Sequence, residues 1–286
     1  MKTLKGKVAA ITGAGSGIGR ALAQGLAARG CHLALSDINT ATLAETAALL
    51  SSAGVRVTTQ PLDVAKREAV HAWADATAAA HGKVNLIFNN AGVALGSTVE
   101  RTDYADFEWL MNINFWGVVH GTKAFLPHLR RSGEEGHIVN ISSIFGLVAS
   151  PGNGVYNAAK FAVRGYTEAL RMELDLQQEE TPGPRISALC VHPGGIKTNI
   201  VKSARFHKES MEALHISDEA KARTRFEAQF RTTPEDAAAT ILDAVERDAR
   251  RVLIGGDARA LDLLVRLLPS AYQPLLRGLA KRQIVK

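Results

Sequence analysis

The feature that most constrains the fold of this chain is the alternation of short apolar runs with longer, alanine-rich runs. The short runs are typical of β-strands, and the long runs repeat their apolar residues at helical spacing. Strands that are separated by helices pair in parallel, because each helix carries the chain back along the sheet. The sequence therefore predicts an α/β fold, a doubly wound parallel sheet flanked by helices.

Seven segments are predicted strands and six are predicted helices. The strands are KVAAITG, HLALSD, RVTTQPLDV, VNLIFNNAG, GHIVNISS, RISALCVHPG and RVLIGG. The helices are GIGRALAQGLAARG, TATLAETAALLSSAG, KREAVHAWADATAAAHG, the region from Tyr104 to about Arg131, GVYNAAKFAVRGYTEALRMEL and EDAAATILDAVERD.

Two stretches depart from this alternation, although residues 1–286 are predicted to form one domain. Residues 199–233 are polar, charged and weakly helical where a short connection is usual, and we predict a lid there. Residues 258–286 form a C-terminal extension with leucines at helical spacing, broken by Pro269 and Pro274. Such leucines are typical of a core or a subunit interface, and contact with a membrane surface is the alternative.

Composition and charge exclude several classes of protein. With 46% hydrophobic and 22% charged residues, the chain is typical of a folded globular protein. Its two cysteines lie in apolar runs, which favours a reducing compartment, and the first apolar run is too short for a signal peptide, so a cytoplasmic protein is predicted. The sequence contains no stretch of about 18 apolar residues, so no integral membrane segment is predicted. The net charge of +6 is spread over several segments among acidic residues, so we expect no nucleic-acid partner.

A glycine-rich turn, TGAGSGIG at residues 12–19, lies between the first strand and the first helix. Glycines there permit a tight turn and let a pyrophosphate approach the N-terminal N–H groups of the helix. Asp37 ends the second strand, where a carboxylate can bind the adenosine ribose of a dinucleotide. That carboxylate would repel a 2′-phosphate, and neither Ser16 nor Ile38 supplies a cation, so NAD is favoured over NADP. The alternative for Asp37 is a turn or helix-capping role.

The segment YNAAK places Lys160 four residues after Tyr156. On a helix these two residues share one face, close enough for the ammonium group to lower the pKa of the phenol. Similar pairs also occur on solvated helix faces, so the spacing alone leaves both interpretations open.

Taken together, the motifs of the chain resemble those of the short-chain dehydrogenase/reductase family. The resemblance covers roughly residues 5 to 200, with every main motif in order. The 13-residue step from Ser143 to Tyr156 and the four-residue step to Lys160 match the spacing of the family. The motifs are TGAGSGIG, NNAG from Asn89 to Gly92, Asn114 in MNINFWG, Ser143 in IVNISSIFG, YNAAK, and PGGIKT from Pro193 to Thr198.

The resemblance implies a catalytic set of four residues. Tyr156 would be the general acid/base, and Lys160 would lower its pKa and hold the nicotinamide ribose. Ser143 would hydrogen-bond the substrate oxygen, whereas the adjacent Ser142 would point to the opposite face of the strand. Asn114 would hold a water molecule in a proton relay, with the satisfaction of buried backbone groups as its alternative role.

The resemblance also implies the residues that hold the cofactor and the substrate, with the NNAG segment more structural than catalytic. The cofactor residues are Gly13, Ser16, Gly17, Ile18, Gly19, Asp37, Asp63, Val64, Asn90, Ala91, Gly92, Tyr156, Lys160, Pro193, Gly194, Ile196 and Thr198. The substrate residues are Leu95, Ser143, Phe145 and Tyr156. No metal site is expected, because the histidines form neither an H-E-x-x-H motif nor a cluster with cysteine.

The expected function is hydride transfer between NAD and a hydrophobic secondary alcohol or ketone, since the residues around the predicted pocket are apolar. One alternative is a non-catalytic nucleotide-binding regulator or scaffold. Others are an NADPH-preferring carbonyl reductase and an epimerase or dehydratase that uses its cofactor transiently. The resemblance further implies a homo-oligomer, a tetramer or a dimer.

Overall fold

A seven-stranded sheet forms the centre of the protein, in strand order β3-β2-β1-β4-β6-β7-β9. The computed structural model describes residues 1, 3–207, 210, 224, 227, 228 and 230–284, with side chains described up to residue 278. All pairings in this sheet are parallel, which confirms the predicted doubly wound α/β fold. The strands are β1 (Val8–Thr12), β2 (His32–Asp37), β3 (Val57–Pro61), β4 (Leu86–Asn89), β6 (Gly136–Ile141), β7 (Ile186–Pro193) and β9 (Arg251–Ile254).

Helices cover both faces of the sheet. Neighbouring strand residues point to opposite faces, so that Ala9 and Ile11 of β1 pack into one apolar cluster and Ala10 into the other. Helices α1 and α7 contribute to the first cluster, and α3, α5 and α6 to the second. The helices are α1 (Gly17–Ala28), α2 (Thr40–Leu49), α3 (Arg67–His81), α4 (Tyr104–Met111), α5 (Gly117–Arg131), α6 (Gly154–Glu180), α7 (Pro234–Glu246), α8 (Gly256–Leu267) and α9 (Tyr272–Ile284).

The strand order reverses between β1 and β4, because β2 and β3 lie on one side of β1 while β4, β6 and β7 lie on the other. In sheets of this kind the loops at the carboxyl ends of the strands separate at such a reversal and leave a crevice. Both the glycine turn after β1 and the NNAG segment at the end of β4 border this position. The fold therefore brings the predicted cofactor motifs to one edge of the sheet.

A π-helical segment, Asn112–Trp116, joins α4 to α5 where the sequence predicts uninterrupted α-helix. Segments of this kind are rare and occur often at functional sites. Asn114 lies in its middle and is fully buried. The local widening of the helix thus coincides with a predicted catalytic residue.

The region after β7 is only partly described. Its first part pairs with the main body through two short parallel strands, β5 (Leu95–Gly96) and β8 (Arg205–Phe206). Much of the predicted lid, residues 199–233, lies outside the described residues, and the lid remains a prediction.

The C-terminal extension packs one side against the loop that follows β6. Ala258 of α8 and Tyr272 of α9 share an apolar cluster with Ile144, Leu147 and Val148. The extension thus lies next to the segment that carries Ser143 and Phe145. Within the described residues, no helix combines the length and hydropathy needed to span a bilayer.

Candidate active site

The glycine turn has the geometry of a phosphate cradle. A side chain at Gly19 would overlap the carbonyl oxygen of Gly13, and a Cβ at Gly17 would lie 3.0 Å from Cγ2 of Thr198. Gly17 also has a φ of 51°, in the left-handed region that disfavours other residues. Helix α1 begins at Gly17, so its first N–H groups lie at this turn. These features fit the pyrophosphate of a dinucleotide, and Thr198 lies across the turn.

The Asp37 carboxylate supports the same turn. Its Oδ2 accepts a hydrogen bond from the backbone N–H of Gly15 at 2.8 Å, and its Oδ1 accepts one from Asn39 at 2.9 Å. The turn role that the sequence left open for Asp37 is thus present in the structure. The neighbouring Ile38 is 73% exposed and offers no charge to a phosphate.

Asn90 ties the end of β4 to the glycine turn. Its Nδ2 donates to the Thr12 carbonyl at 2.9 Å, and the backbone N–H groups of Asn90 and Ala91 both donate to the Thr12 hydroxyl at 3.0 Å. The preceding Asn89 donates from Nδ2 to Oδ1 of Asn140 at 2.8 Å. These bonds link β1, β4 and β6 and support the structural role that the resemblance implies for NNAG.

Ser143 and Tyr156 lie next to each other at the carboxyl end of the sheet. Ser143 follows β6, and its Oγ accepts a hydrogen bond from the backbone N–H of Phe145 at 3.1 Å. Tyr156 lies in the first turn of α6. Burial raises the pKa of the Tyr156 phenol to about 12, against the opposing effect of a hydrogen bond with Ser143. The phenol therefore carries its proton at neutral pH.

Lys160 is buried one helical turn beyond Tyr156. Its Nζ donates to the Ile141 carbonyl at 3.0 Å and lies 5.7 Å from the centre of the Tyr156 ring. Burial lowers the pKa of Lys160 to about 8. The sequence predicts that Lys160 lowers the pKa of the phenol, whereas in the structure the pKa of Tyr156 is raised, because desolvation of the phenol outweighs other effects.

Ser142 fixes the position of α6 instead of contacting Tyr156. Its Oγ donates to the backbone carbonyl of Lys160 at 2.8 Å. The two adjacent serines thus have different surroundings, with Ser142 bonded to the helix backbone and Ser143 next to the tyrosine side chain.

Asn114 uses both ends of its amide on one residue. Its Oδ1 accepts from the Val93 N–H and its Nδ2 donates to the Val93 carbonyl, both at 2.8 Å. A Cβ placed on Gly92 would lie 3.3 Å from Oδ1 of Asn114 and 3.6 Å from Nζ of Lys160. Asn114 therefore satisfies the partly buried backbone groups of Val93, close to the alternative that the sequence left open, and it also lies beside Lys160.

The remaining cofactor residues lie on loops at the same edge of the sheet. Asp63, shortly after β3, accepts at Oδ1 from the Ala65 N–H at 3.0 Å, and the buried Val64 follows it. After β7, which ends at Pro193, Ile196 is buried and bridges to Thr232. The structure thus places these residues around the crevice, although their contacts with a cofactor remain predictions.

Apolar side chains surround Tyr156. Leu95 is buried in a cluster with Leu110, Val155 and Ala159, against which Tyr156 packs. The Phe145 ring stands edge-on to the Tyr156 ring, with 6.2 Å between ring centres. Two of the predicted substrate residues therefore lie next to the proposed acid/base.

Sequence reasoning missed two residues that support this site. His192 of β7 is fully buried, and its Nδ1 donates to the Ser143 carbonyl at 2.9 Å. Because a carbonyl oxygen only accepts, this bond places the proton on Nδ1, and burial lowers the pKa of His192 to about 4. Asp257 of α8 accepts at Oδ2 from the Gly195 N–H at 2.7 Å and abuts Gly194. The only sequence signal for either was its proximity to a strand end or a helix start.

Asp103, Asp106 and His207 bring their ligand atoms within 4.8 Å of one another. The oxygens of Asp106 already accept hydrogen bonds from Arg205 and His207, both at 2.6 Å. Those two bonds, together with the positive guanidinium group, disfavour a metal cation there. The cluster instead connects β8 to the start of α4.

Comparison with known proteins agrees with this architecture. A family profile described as short chain dehydrogenase matches residues 7–209. The chain is 47% identical over 286 residues to SadH of Mycobacterium tuberculosis H37Rv, named as an oxidoreductase, with 98% of each chain covered. The chain belongs to the short-chain dehydrogenase/reductase family and is an oxidoreductase.

Solved structures of two other proteins are also similar to the structure of this chain. A family member from Burkholderia phymatum in complex with NAD superposes with a TM-score of 0.85 at 31% identity, with 95% of this chain and 97% of that chain covered. Levodione reductase superposes with a TM-score of 0.76 at 30% identity, with coverage of 90% and 99%. Together with the glycine cradle, the NAD-bound relative supports a nicotinamide cofactor.

Proposed function

We propose that the protein interconverts hydrophobic secondary alcohols and ketones, using NAD(H) and with Tyr156 as general acid/base. The observation that carries this proposal is the position of Tyr156 next to the buried Ser143, with the buried Lys160 one helical turn away. A hydroxyl pair of this kind can hold one oxygen atom and exchange a proton with it. The same pair would have no evident use in a binding protein without turnover.

The roles of the residues follow from their chemistry. The nicotinamide, when bound, supplies or accepts the hydride. Ser143 donates a hydrogen bond to the substrate oxygen and stabilises its developing negative charge. Tyr156 delivers its proton to that oxygen in reduction and recovers it in oxidation. The phenol carries its proton at neutral pH, which is the state that ketone reduction requires.

Lys160 supplies the positive charge of the site. With a pKa of about 8 it is mostly protonated at neutral pH, although it is buried. Its bond to the Ile141 carbonyl holds the ammonium group near the Tyr156 ring. A cation there stabilises the phenolate that forms after proton transfer, and it can also hold the ribose hydroxyls.

Asp37 supports NAD over NADP. Its two bonds to backbone N–H groups fix the carboxylate beside the glycine turn. A 2′-phosphate at this position would meet a like charge, and the exposed Ile38 offers no compensation. The ribose hydroxyls of NAD can instead donate to the carboxylate.

The substrate is proposed to be apolar, because Leu95 and Phe145 border Tyr156. Burial of each additional apolar group against such residues favours binding. The homo-oligomer, a tetramer or dimer, and the cytoplasmic location stay predictions.

Initial rates with a panel of secondary alcohols and ketones of increasing bulk test this proposal. We expect turnover with NAD(H), faster with bulkier apolar substrates, and a weaker preference for NAD(H) in Asp37→Ser. Thr240→Ser, a change at a half-buried residue of α7, is the control. Faster turnover with NADP(H) would refute the role of Asp37, and an absence of turnover with either cofactor would refute the enzymatic proposal.

A further inference from the structure

The C-terminal extension exposes leucine side chains on its outer side. Leu263 and Leu267 are 57% and 69% exposed, and their four-residue spacing places them on one face of α8. Leu268 and Leu275, which follow them in the chain, are also exposed. The opposite side of α8, with Ala258, is the side that packs against the protein. The exposed leucines therefore contribute nothing to the core.

Cationic side chains accompany these leucines. Arg259 and Arg266 lie within a turn of Leu263 along α8, and Arg277 lies shortly after Leu275; all three are exposed. Residues 263–286 contain five lysines and arginines and no aspartate or glutamate. The nearest preceding acid, Asp262, is buried and paired with Arg251 at 3.0 Å and with Arg266 at 2.9 Å. Among the described residues, the extension thus exposes leucines together with Arg259, Arg266 and Arg277, while the exposed Asp257 lies just before it at the start of α8.

This charge pattern argues against a second copy of the chain as the partner. A two-fold interface brings the same patch of both subunits together, so one positively charged patch would lie against another. Such like-charge contacts are unfavourable unless acidic residues intervene, and this stretch of sequence has none after Asp262. A partner with an apolar interior and a negative surface complements both properties.

We propose that the exposed residues Leu263, Leu267 and Arg259 of α8, together with Arg277 of α9, form an outer face that docks on anionic phospholipid bilayers. The leucines enter the boundary between headgroups and acyl chains, and the arginines bind the anionic headgroups. The inner face of the same helices packs against Leu147 and the segment around it, close to the apolar surroundings of Tyr156. Docking therefore holds the site near a membrane, where apolar alcohols and ketones accumulate.

Vesicle flotation with the full-length protein tests the docking. We expect the protein to float with vesicles of phosphatidylcholine and phosphatidylglycerol, and to bind vesicles of phosphatidylcholine alone roughly tenfold less. Salt near about 1 M should weaken binding, since it screens charges beyond about 3 Å. Leu263→Ser with Leu267→Ser should reduce binding at least roughly tenfold, because each leucine loses its apolar burial.

Controls separate the docking from folding and from catalysis. Leu49→Ser with Leu176→Ser changes two exposed leucines on α2 and α6 and should leave vesicle binding unchanged. Turnover of a water-soluble substrate should be equal in both double variants. Because binding is measured without substrate, a protein that binds vesicles but has no turnover would refute the proposed function and leave the docking intact.

Three results would overturn the docking proposal. The first is that the protein does not float with the anionic vesicles. The second is that the variant with Leu263→Ser and Leu267→Ser floats as well as the wild type does. The third is that neither protein binds vesicles, while light scattering shows a wild-type oligomer that the same double substitution dissociates. The last result would assign the face to a second copy of the chain.

Discussion

Gly19→Ala offers a direct test of the phosphate cradle. In the interior of a helix this change normally stabilises a protein by about 0.5–1 kcal/mol, because alanine has less backbone freedom to lose. At Gly19, however, the new methyl group would overlap the Gly13 carbonyl and lie 2.7 Å from Nδ2 of Asn90. Overpacking of this kind costs about 1–3 kcal/mol, so we expect a net loss of about 1–2 kcal/mol of folding free energy.

The same change should weaken cofactor binding more than it weakens folding. Relief of the overlap requires the Gly13 backbone to move, and Gly13 belongs to the turn that would hold the pyrophosphate. We expect the Kd for NADH, measured by fluorescence titration, to rise at least roughly tenfold, the equivalent of about 1.4 kcal/mol. Urea unfolding measures the stability change on the same samples.

Gly165→Ala in α6 is the matched control. Among the described residues, no heavy atom outside the local helix lies within 4 Å of a Cβ placed there. This variant should gain about 0.5–1 kcal/mol and bind NADH as the wild type does. Unchanged NADH affinity in Gly19→Ala, with the protein folded, would refute the cradle.

Three further predictions concern the support of the site. Burial lowers the pKa of Lys160 to about 8, so the side chain loses its positive charge as the pH rises through that value. In a pH-rate profile, kcat/KM for ketone reduction should therefore fall above about pH 8. Asn114→Leu leaves the Val93 N–H and carbonyl unpaired and should cost about 2 kcal/mol or more in urea unfolding. Asp257→Ala removes the acceptor of the Gly195 N–H and should raise KM for NAD roughly fivefold with little change in kcat, since the lost bond is worth about 1 kcal/mol.

Most of the fold was predictable because its signals are local. Central strands such as β1 and β4 are nearly continuous apolar runs, since parallel strands inside a sheet are buried on both faces, whereas the edge strand β3 is mostly polar. The site motifs follow strand ends, so the order of strands and helices alone brings Gly13, Asn90 and Ser143 to one edge of the sheet. This grouping follows without any prediction of contacts between residues that are distant in the sequence.

The features that were missed depend on distant contacts or on burial. The pairing of Leu95–Gly96 with Arg205–Phe206 joins segments too short to show any periodicity. The π-helical turn at Asn112–Trp116 has the same composition as an ordinary helix. The raised pKa of Tyr156 arises from desolvation, which the sequence does not reveal. The prediction that Lys160 lowers this pKa considered only the charge of the lysine and omitted the larger effect of burial.

The measurement that most directly tests the central claim is ketone reduction by Tyr156→Phe, with NADH affinity measured on the same protein. Phenylalanine keeps the ring that packs against Phe145 and removes only the hydroxyl. We predict that kcat falls by about 10²–10⁴, the usual contribution of a general acid, while the Kd for NADH is unchanged. Turnover by the variant at the wild-type rate would contradict the assignment of Tyr156 as the proton donor.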